Sequence, residues 1–237
     1  MMQRRLFVLG ASALVLAGCG GNLIGPPDPG PIYVLRPPLA PAPAGGAKVS
    51  WSLAILRPDV PGGLDSDRIA LVQPDGTMDF YAKASYPDRL PIAIQTSVLD
   101  GFETSGRIDA VAREEQALHA DYNLLIEVKD FSAHYAAPDG VPAVAVVLSA
   151  KLATTHGRKI IATQNFNVPG NASVNSAGAT VQALQQALAV AVKQVVDWTL
   201  TTAPAVVPGA SPETASPGKP AEQLLHDVTR GKKGVPQ

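Results

Sequence analysis

From about residue 48 the chain is patterned by two spacings of apolar residues, one of period two and one of three to four. Trp51–Arg57 alternates and stops at Pro58, which predicts a strand. Ile69–Gln73 and Met78–Ala82 are two short β-type runs separated by Pro74-Asp75-Gly76, a turn sequence in which glycine supplies a positive φ. The spacing then changes. Leu90, Ile94, Val98 and Phe102 recur every four residues, which predicts an amphipathic helix over 86–104. Ser85 is its candidate N-cap, Pro87 its preset first turn and Ser105-Gly106 its end. Pro91 fits only if the regular helix starts late enough to put it in the first turn, where its missing N–H breaks no bond.

Period two returns at Arg107–Val111 and dominates residues 121–168. Tyr122, Leu124, Ile126 and Val128 share one face, whereas from Phe131 onward the larger apolar residues fall on odd positions. A one-residue change of phase predicts a β-bulge. Pro138-Asp139-Gly140 is a turn, and Val141–Leu152 is nearly continuously apolar, as a strand covered on both faces would be, although periodicity alone does not exclude a buried helix. After a two-residue turn at His156-Gly157, the residues Ile160, Ala162, Phe166 and Val168 return on one face, interrupted by Gln164. Residues 121–168 therefore read as a three-stranded antiparallel meander. Beyond it, with Ser176 as N-cap, Val181, Leu184, Leu188, Ala191, Val195 and Trp198 form one stripe of a helix over 176–200. Trp198 is best read as core or rim packing near its end. Two single-striped helices need a surface to bury against. The expected fold class is α+β: one largely antiparallel sheet at residues 48–201 with both helices on one face.

The flanks of this domain have a different character. Residues 1–18 place Arg4-Arg5 before the apolar run Leu6–Leu16, which is too short to span a bilayer and reads as a secretory signal. The run ends in Leu16-Ala17-Gly18-Cys19, a lipobox whose cut between Gly18 and Cys19 leaves the only cysteine of the chain at a new N-terminus, open to lipid attachment. Gln3–Leu9 also resembles a twin-arginine leader, so both export routes stay open. Gly20 in place of Asp points to sorting to an outer membrane. Residues 19–47 are Gly-, Pro- and Ala-rich and read as a lipidated flexible tether, within which Ile32-Tyr33-Val34-Leu35 is β-prone and available to pair with the domain. Residues 202–237 have a similar bias and read as a disordered tail.

Charge and chemistry narrow the function by exclusion. Removing Arg4 and Arg5 leaves 17 basic against 20 acidic residues, a formal charge of −3, with no basic patch and only 5% aromatic residues. That combination does not suit nucleic acid. There is no phosphate-cradling G-x-x-x-x-G-K-[ST] and no G-x-S-x-G elbow. The histidines at 119, 134, 156 and 226 lack metal-ligand spacing. No cofactor is expected beyond a covalent lipid on Cys19. Asp65-Ser66-Asp67-Arg68 is the polar block that stands out, either as a capped turn before a strand or as a partner contact.

With Asp65–Ile69 in view, a set of ordered features coincides. They are the lipobox, Tyr33-Val34-Leu35, Asp65-Ser66-Asp67-Arg68-Ile69, Phe80-Tyr81, Tyr86-Pro87-Asp88-Arg89-Leu90-Pro91, Gly106-Arg107, Ala120–Leu124 and Asp197-Trp198. In this combination the chain resembles the ABC-type transport auxiliary lipoprotein family, which includes the paraquat-inducible lipoprotein C. Tyr86 stands where that family usually has Trp, and the tail from Ala203 lies outside the pattern. The resemblance implies a non-catalytic partner of an ABC permease and ATPase, working with an MCE-type transport protein to move lipid between two membranes. It also implies the periplasmic face of the outer membrane as its place. A homo-oligomer is compatible with it. Two competing readings stay open: an outer-membrane assembly or secretion lipoprotein, and an envelope hydrolase whose catalytic residues are scattered in sequence.

Overall fold

The computed structural model describes residues 30–41, 47–117 and 119–204. The Gly18–Cys19 lipobox, the signal over 1–18 and the tail beyond Pro204 lie outside the described residues. Among those described, seven strands and two helices follow in the order β1 (Leu53–Ile55), β2 (Arg68–Val72), β3 (Met78–Ser85), α1 (Leu90–Ser105), β4 (Val111–Arg113), β5 (Tyr122–His134), β6 (Ala143–Thr154), β7 (Ile160–Asn171) and α2 (Ala177–Thr202). This is an α+β fold with a single mixed sheet.

The antiparallel meander β5-β6-β7 is the spine of the sheet, and its long ladders make antiparallel pairing predominant. The other edge of β5 is shared: β1 runs parallel to its first residues, from Leu53 opposite Tyr122, and β2 runs parallel to its end, with Leu71 opposite Ala133. β4 extends the first of these additions and β3 the second. The ladder between β5 and β6 shifts register between Val128 and Asp130, so the bulge falls where the phase of apolar residues changes. That bulge keeps Val128 and Phe131 on the same buried face.

One face of the spine is sealed by the helices. Leu124, Ile126, Val128, Val146, Leu148 and Leu152 are almost wholly inaccessible, as are Ile94, Val98 and Phe102 of α1 and Leu184, Leu188, Val192 and Val195 of α2. All belong to one continuous core. Where α1 crosses α2, Gly101 lets the two backbones approach: a Cβ there would lie 2.3 Å from Val192 Cγ1. The opposite face of the sheet carries no helix among the described residues, so the expectation of a doubly covered β6 is not met. Ala145, Val147 and Lys151 of β6 are only partly buried. The apolar run there reflects small and branched side chains on a half-open face.

Local starts and stops differ from the sequence reading in several places. The expected two-residue turn at His156-Gly157 is a longer loop between Thr154 and Ile160, and a register shift sets Ile160 opposite Ala153, out of phase with Ala162, Phe166 and Val168. Ser85 ends β3 instead of capping a helix; α1 starts at Leu90, with Pro91 in its first turn as its missing N–H requires. The strand expected at Arg107–Val111 is displaced to Val111–Arg113, because Ile108 makes only a single bridge to Val49. Residues 30–41, read as tether, lie on the domain: Ile32 bridges Ser85 in parallel, the Tyr33 N–H donates to the Ser85 carbonyl oxygen (2.8 Å), and Leu35 is buried. The ends of α1 and α2 otherwise follow their sequence signals. Gly106 closes α1 in the left-handed conformation at φ 60°, and Ser176 Oγ accepts the Ala179 N–H at the start of α2.

Candidate partner-contact site

The Asp65–Arg68 block lies in the loop that leads into β2, and its backbone does local work first. The Leu64 and Asp65 N–H groups donate to the Pro61 carbonyl oxygen, which makes a tight turn, and buried Leu64 pins it to the core. Ser66 Oγ accepts the Arg68 N–H (3.1 Å), a local side-chain turn of the kind serine favours. The Leu90 N–H donates to the Ser66 carbonyl oxygen (3.0 Å), and the Tyr86 N–H to that of Asp67 (2.7 Å). These bonds matter because Arg89, the N-cap of α1, supplies no side-chain cap. The loop satisfies an N–H at the helix start that would otherwise be orphaned.

The four side chains divide into two pairs. Asp65 is engaged: Arg89 Nε donates to Asp65 Oδ1 (2.9 Å), Arg89 Nη2 lies 2.8 Å from Oδ2 and also donates to the Asp65 carbonyl oxygen, and Arg57 lies 3.8 Å away. Ser66 is used in the turn. Asp67 and Arg68 are exposed. Arg68 stacks its guanidinium 3.9 Å above the ring of Phe80, which fixes the charge without covering it. On the same face of β3 as Phe80, Met78 is nearly half exposed and packs beside Gly63 of the loop. Ile32, which pairs with the Ser85 that faces Arg68 across the hairpin, is 60% exposed. The outcome is a surface of one acid, one base and two aliphatic side chains around a rigid turn.

Other segments singled out in the sequence meet each other as internal bridges. Arg107 Nη1 lies 3.0 Å from Asp197 Oδ1, tying the end of α1 to the end of α2, and Lys193 joins the same carboxylate. Trp198 packs edge-on to Phe166. Asp121 accepts from both the N–H and the Oγ of Ser52, and the neighbouring Tyr122 ring meets Trp51 edge-on at 5.3 Å. Tyr81 Oη lies 2.8 Å from both Tyr135 Oη and Thr180 Oγ1, and Tyr135 donates to Asn175 Oδ1. Burial, with the Tyr81 contact second, pushes the Tyr135 phenol well above the usual tyrosine range. Tyr86 is also pushed up by burial, and its hydroxyl has no hydrogen-bond partner among the described residues.

A cluster that the sequence reading missed sits on the open face of β5. Asp130, Ser132 and His134 follow at i, i+2 and i+4 beside the bulge, a spacing that on a strand places three side chains in a row. They superficially match a serine, histidine and acid set. Asp130 Oδ2 (2.8 Å) and Ser132 Oγ (3.2 Å) both approach the same imidazole nitrogen, Nε2, while Ser132 Oγ donates to Asp130 Oδ1. A triad instead needs the acid on one ring nitrogen and the serine on the other. Ser132 is also only 1% exposed. Among the described residues no group of three or more His, Cys, Asp and Glu could hold a metal ion, and no helix is long and apolar enough to cross a membrane.

Fold and site thus define a two-layer α+β domain whose marked side chains are mostly spent on internal bridges, with a small charged and aliphatic surface at one loop. The model of the ABC-type transport auxiliary lipoprotein component matches residues 33–196, and the chain belongs to that family. The description of that family is an auxiliary lipoprotein component of ABC-type transport. An uncharacterised protein of Bradyrhizobium diazoefficiens is 30% identical over 168 residues, 71% of this chain; the chain spans 44% of that relative's length. A crystal structure of a Xanthomonas campestris protein is similar at TM-score 0.65 and 31% identity, covering 73% of this chain and 96% of that one. A second crystal structure, of an uncharacterised protein, shares the fold at TM-score 0.56 and 16% identity, covering 71% and 98%.

Proposed function

We propose that the protein is a non-catalytic adaptor of an ABC/MCE-type intermembrane lipid transport system, anchored to the periplasmic face of the outer membrane through lipid on Cys19. The observation that carries this reading is the division of labour in the marked residues. Asp65, Ser66, Arg107, Asp197 and Asp121 are engaged in holding the fold, and Asp67 and Arg68 are presented on a rigid turn. A catalytic site would need convergent groups over a substrate. A docking module needs a fixed, exposed patch.

The contact with the MCE-type protein is assigned to Asp67 and Arg68, flanked by Met78 and Ile32. Asp65 and Ser66 support it from beneath. Residues 19–29 supply the first part of the tether and the tail from residue 205 is not assigned a role. The test is photo-crosslinking in intact cells from a probe at Asp67 or at Arg68. Recovery of an MCE-type protein or the associated permease supports the reading. Recovery of a barrel subunit without any transport component favours an assembly or secretion lipoprotein, and hydrolysis abolished by Ser132→Ala would favour an envelope hydrolase.

A further inference from the structure

Residues 30–41 have the composition of a free linker, with prolines at 31, 37, 38 and 41, yet they lie along the domain. What holds them is slight. The Tyr33 N–H donates to the Ser85 carbonyl oxygen (2.8 Å), the Ser85 N–H returns a long bond to that of Pro31 (3.4 Å), and Gln185 Nε2 of α2 donates to the Val34 carbonyl oxygen (3.1 Å). Leu35 is buried, with Tyr33 and Leu39 packed against the core beside it, whereas Ile32 and Val34 are exposed. Apart from the Ile32–Ser85 bridge, no ladder of the sheet passes through this segment among the described residues. Lifting it costs a few bonds and one buried side chain and leaves the ladders intact. Segments held this loosely open without global unfolding.

The first residue of the segment makes a close backbone contact. Gly30, at φ 67°, lies against Lys83, in the stretch of β3 where pairing to β2 is irregular and where Lys83 is itself left-handed at φ 53°. A Cβ on Gly30 would lie 1.9 Å from the Lys83 carbonyl oxygen and 2.6 Å from the carbonyl carbon. These are backbone atoms, which cannot swing aside as the end of a side chain can. The docked path is therefore open to glycine alone at this position. Its place in the chain matters as well. From Cys19 to Gly30 the chain advances eleven residues, at most about 40 Å when fully extended. The next backbone-to-backbone bond to the domain among the described residues runs from the Val49 N–H to the Arg107 carbonyl oxygen (2.9 Å), thirty residues from Cys19 or about 100 Å.

We infer that residues 30–41 are a releasable strap, seated at Gly30, that switches the lipid tether between a short and a long form. Docked, the strap keeps its attachment point within about 40 Å of the bilayer and holds Ile32 in the surface beside Arg68. Lifted, it more than doubles the reach and withdraws Ile32 from that surface. The prolines favour return, since they keep the freed segment extended and so lower the entropy lost when it docks again. The change in length rests on the proposed lipid at Cys19; the release itself does not.

The test is hydrogen exchange, followed by mass spectrometry, on the full-length lipoprotein in vesicles of phosphatidylethanolamine and phosphatidylglycerol. In the parent, the amides of residues 32–36 should be protected relative to a free peptide, yet exchange about a hundred-fold faster or more than those of the β5-β6 ladder. Gly30→Ala should speed the strap amides by about ten-fold or more, from its left-handed conformation alone, with the ladder unchanged. Gly62→Ala, whose Cβ meets nothing within 4 Å, should leave them as they are. Ile32→Cys combined with Ser85→Cys, at bridged positions, should raise strap protection towards that of the ladder once the two are oxidised. A fluorophore on Asp139→Cys, at an exposed turn, should stand farther from labelled lipid in the Gly30→Ala protein than in the parent sequence. Strap amides that open only with the whole domain, or that exchange like a free peptide in the parent, overturn the inference, as does a Gly30→Ala strap protected like the parent's. A fluorophore height unchanged by Gly30→Ala in protein of confirmed lipidation overturns the switch in length. Exchange can be read whether or not the chain stays on the vesicle, so a failed anchor and a failed strap are told apart.

Discussion

The crossing of α1 and α2 offers the sharpest energetic test of the packing. Gly101→Ala would normally stabilise a helix interior by about 1 kcal/mol through propensity. Here the new Cβ would lie 2.3 Å from Val192 Cγ1 and 3.3 Å from Val196 Cγ2. The first distance is more than an ångström inside ordinary contact. Relief requires Val192 to leave the one χ1 rotamer that a helix strongly prefers, or the helices to part. Val192 is fully buried, as are Val98 and Phe102 beside Gly101 on α1. Overpacking of this kind costs about 3 kcal/mol at its upper range, which leaves a net destabilisation of ~2 kcal/mol after the propensity gain. For a chain of this size the melting temperature should fall by about 4–8 °C. Val192→Ala alone should also destabilise, by about 2 kcal/mol, through a cavity. Together the two changes should be much milder than their sum, because the added methyl occupies the vacated space. Urea unfolding of the four proteins measures this cycle. A Gly101→Ala variant more stable than the parent, or strictly additive effects, would refute the close approach.

Three further outcomes can be measured. Leu188→Asp buries an unpaired carboxylate at a fully inaccessible position, so the variant should lose more than about 4 kcal/mol and show no cooperative melt by circular dichroism. Tyr86→Phe removes a buried hydroxyl without a partner and should be neutral or stabilising by up to about 1–3 kcal/mol at pH 7. Because the folded-state pKa of Tyr86 is raised, its neutral form stabilises the fold fully below the unfolded value of about 10 and that contribution is lost as pH rises beyond it; Tyr86→Phe should therefore lessen the alkaline loss of melting temperature. Cys19→Ser should release the protein from membranes or leave an unprocessed precursor, since attachment by two or more acyl chains is what makes anchoring stable; intact mass of the parent with an unmodified mature Cys19 would contradict the lipid assignment.

Much of the fold could be read from period and punctuation. Helix α2 with its Ser176 cap, the meander with its bulge after Val128, and the Gly76 and Gly106 turns, both at positive φ, follow local rules. What escaped was non-local. The start of α1 is set by the Ser66 carbonyl oxygen, 24 residues before Leu90, so Ser85 and Pro87 gave a false signal. The parallel additions of β1 and β2 to β5 carry no sequence mark, because three- to five-residue strands say nothing of their partners. Residues 30–41 look too Pro-rich to order, yet three side chains, Tyr33, Leu35 and Leu39, find the core. At the candidate site, the turn chemistry of Ser66 was legible, but the capture of Asp65 by Arg89 was not, and neither was the Asp130-Ser132-His134 row, whose members reach one another only once the strand is extended.

The central claim is that this chain serves a transport complex, and the most direct measurement is its isolation from gently solubilised envelopes by a tag at its C-terminus, with mass spectrometry of what accompanies it. The account predicts an MCE-type protein together with its permease and ATPase, reduced by Arg68→Glu while the melting temperature of the variant matches the parent. A reproducible complex with an outer-membrane barrel or secretion pore, lacking any transporter subunit and indifferent to Arg68→Glu, would contradict it.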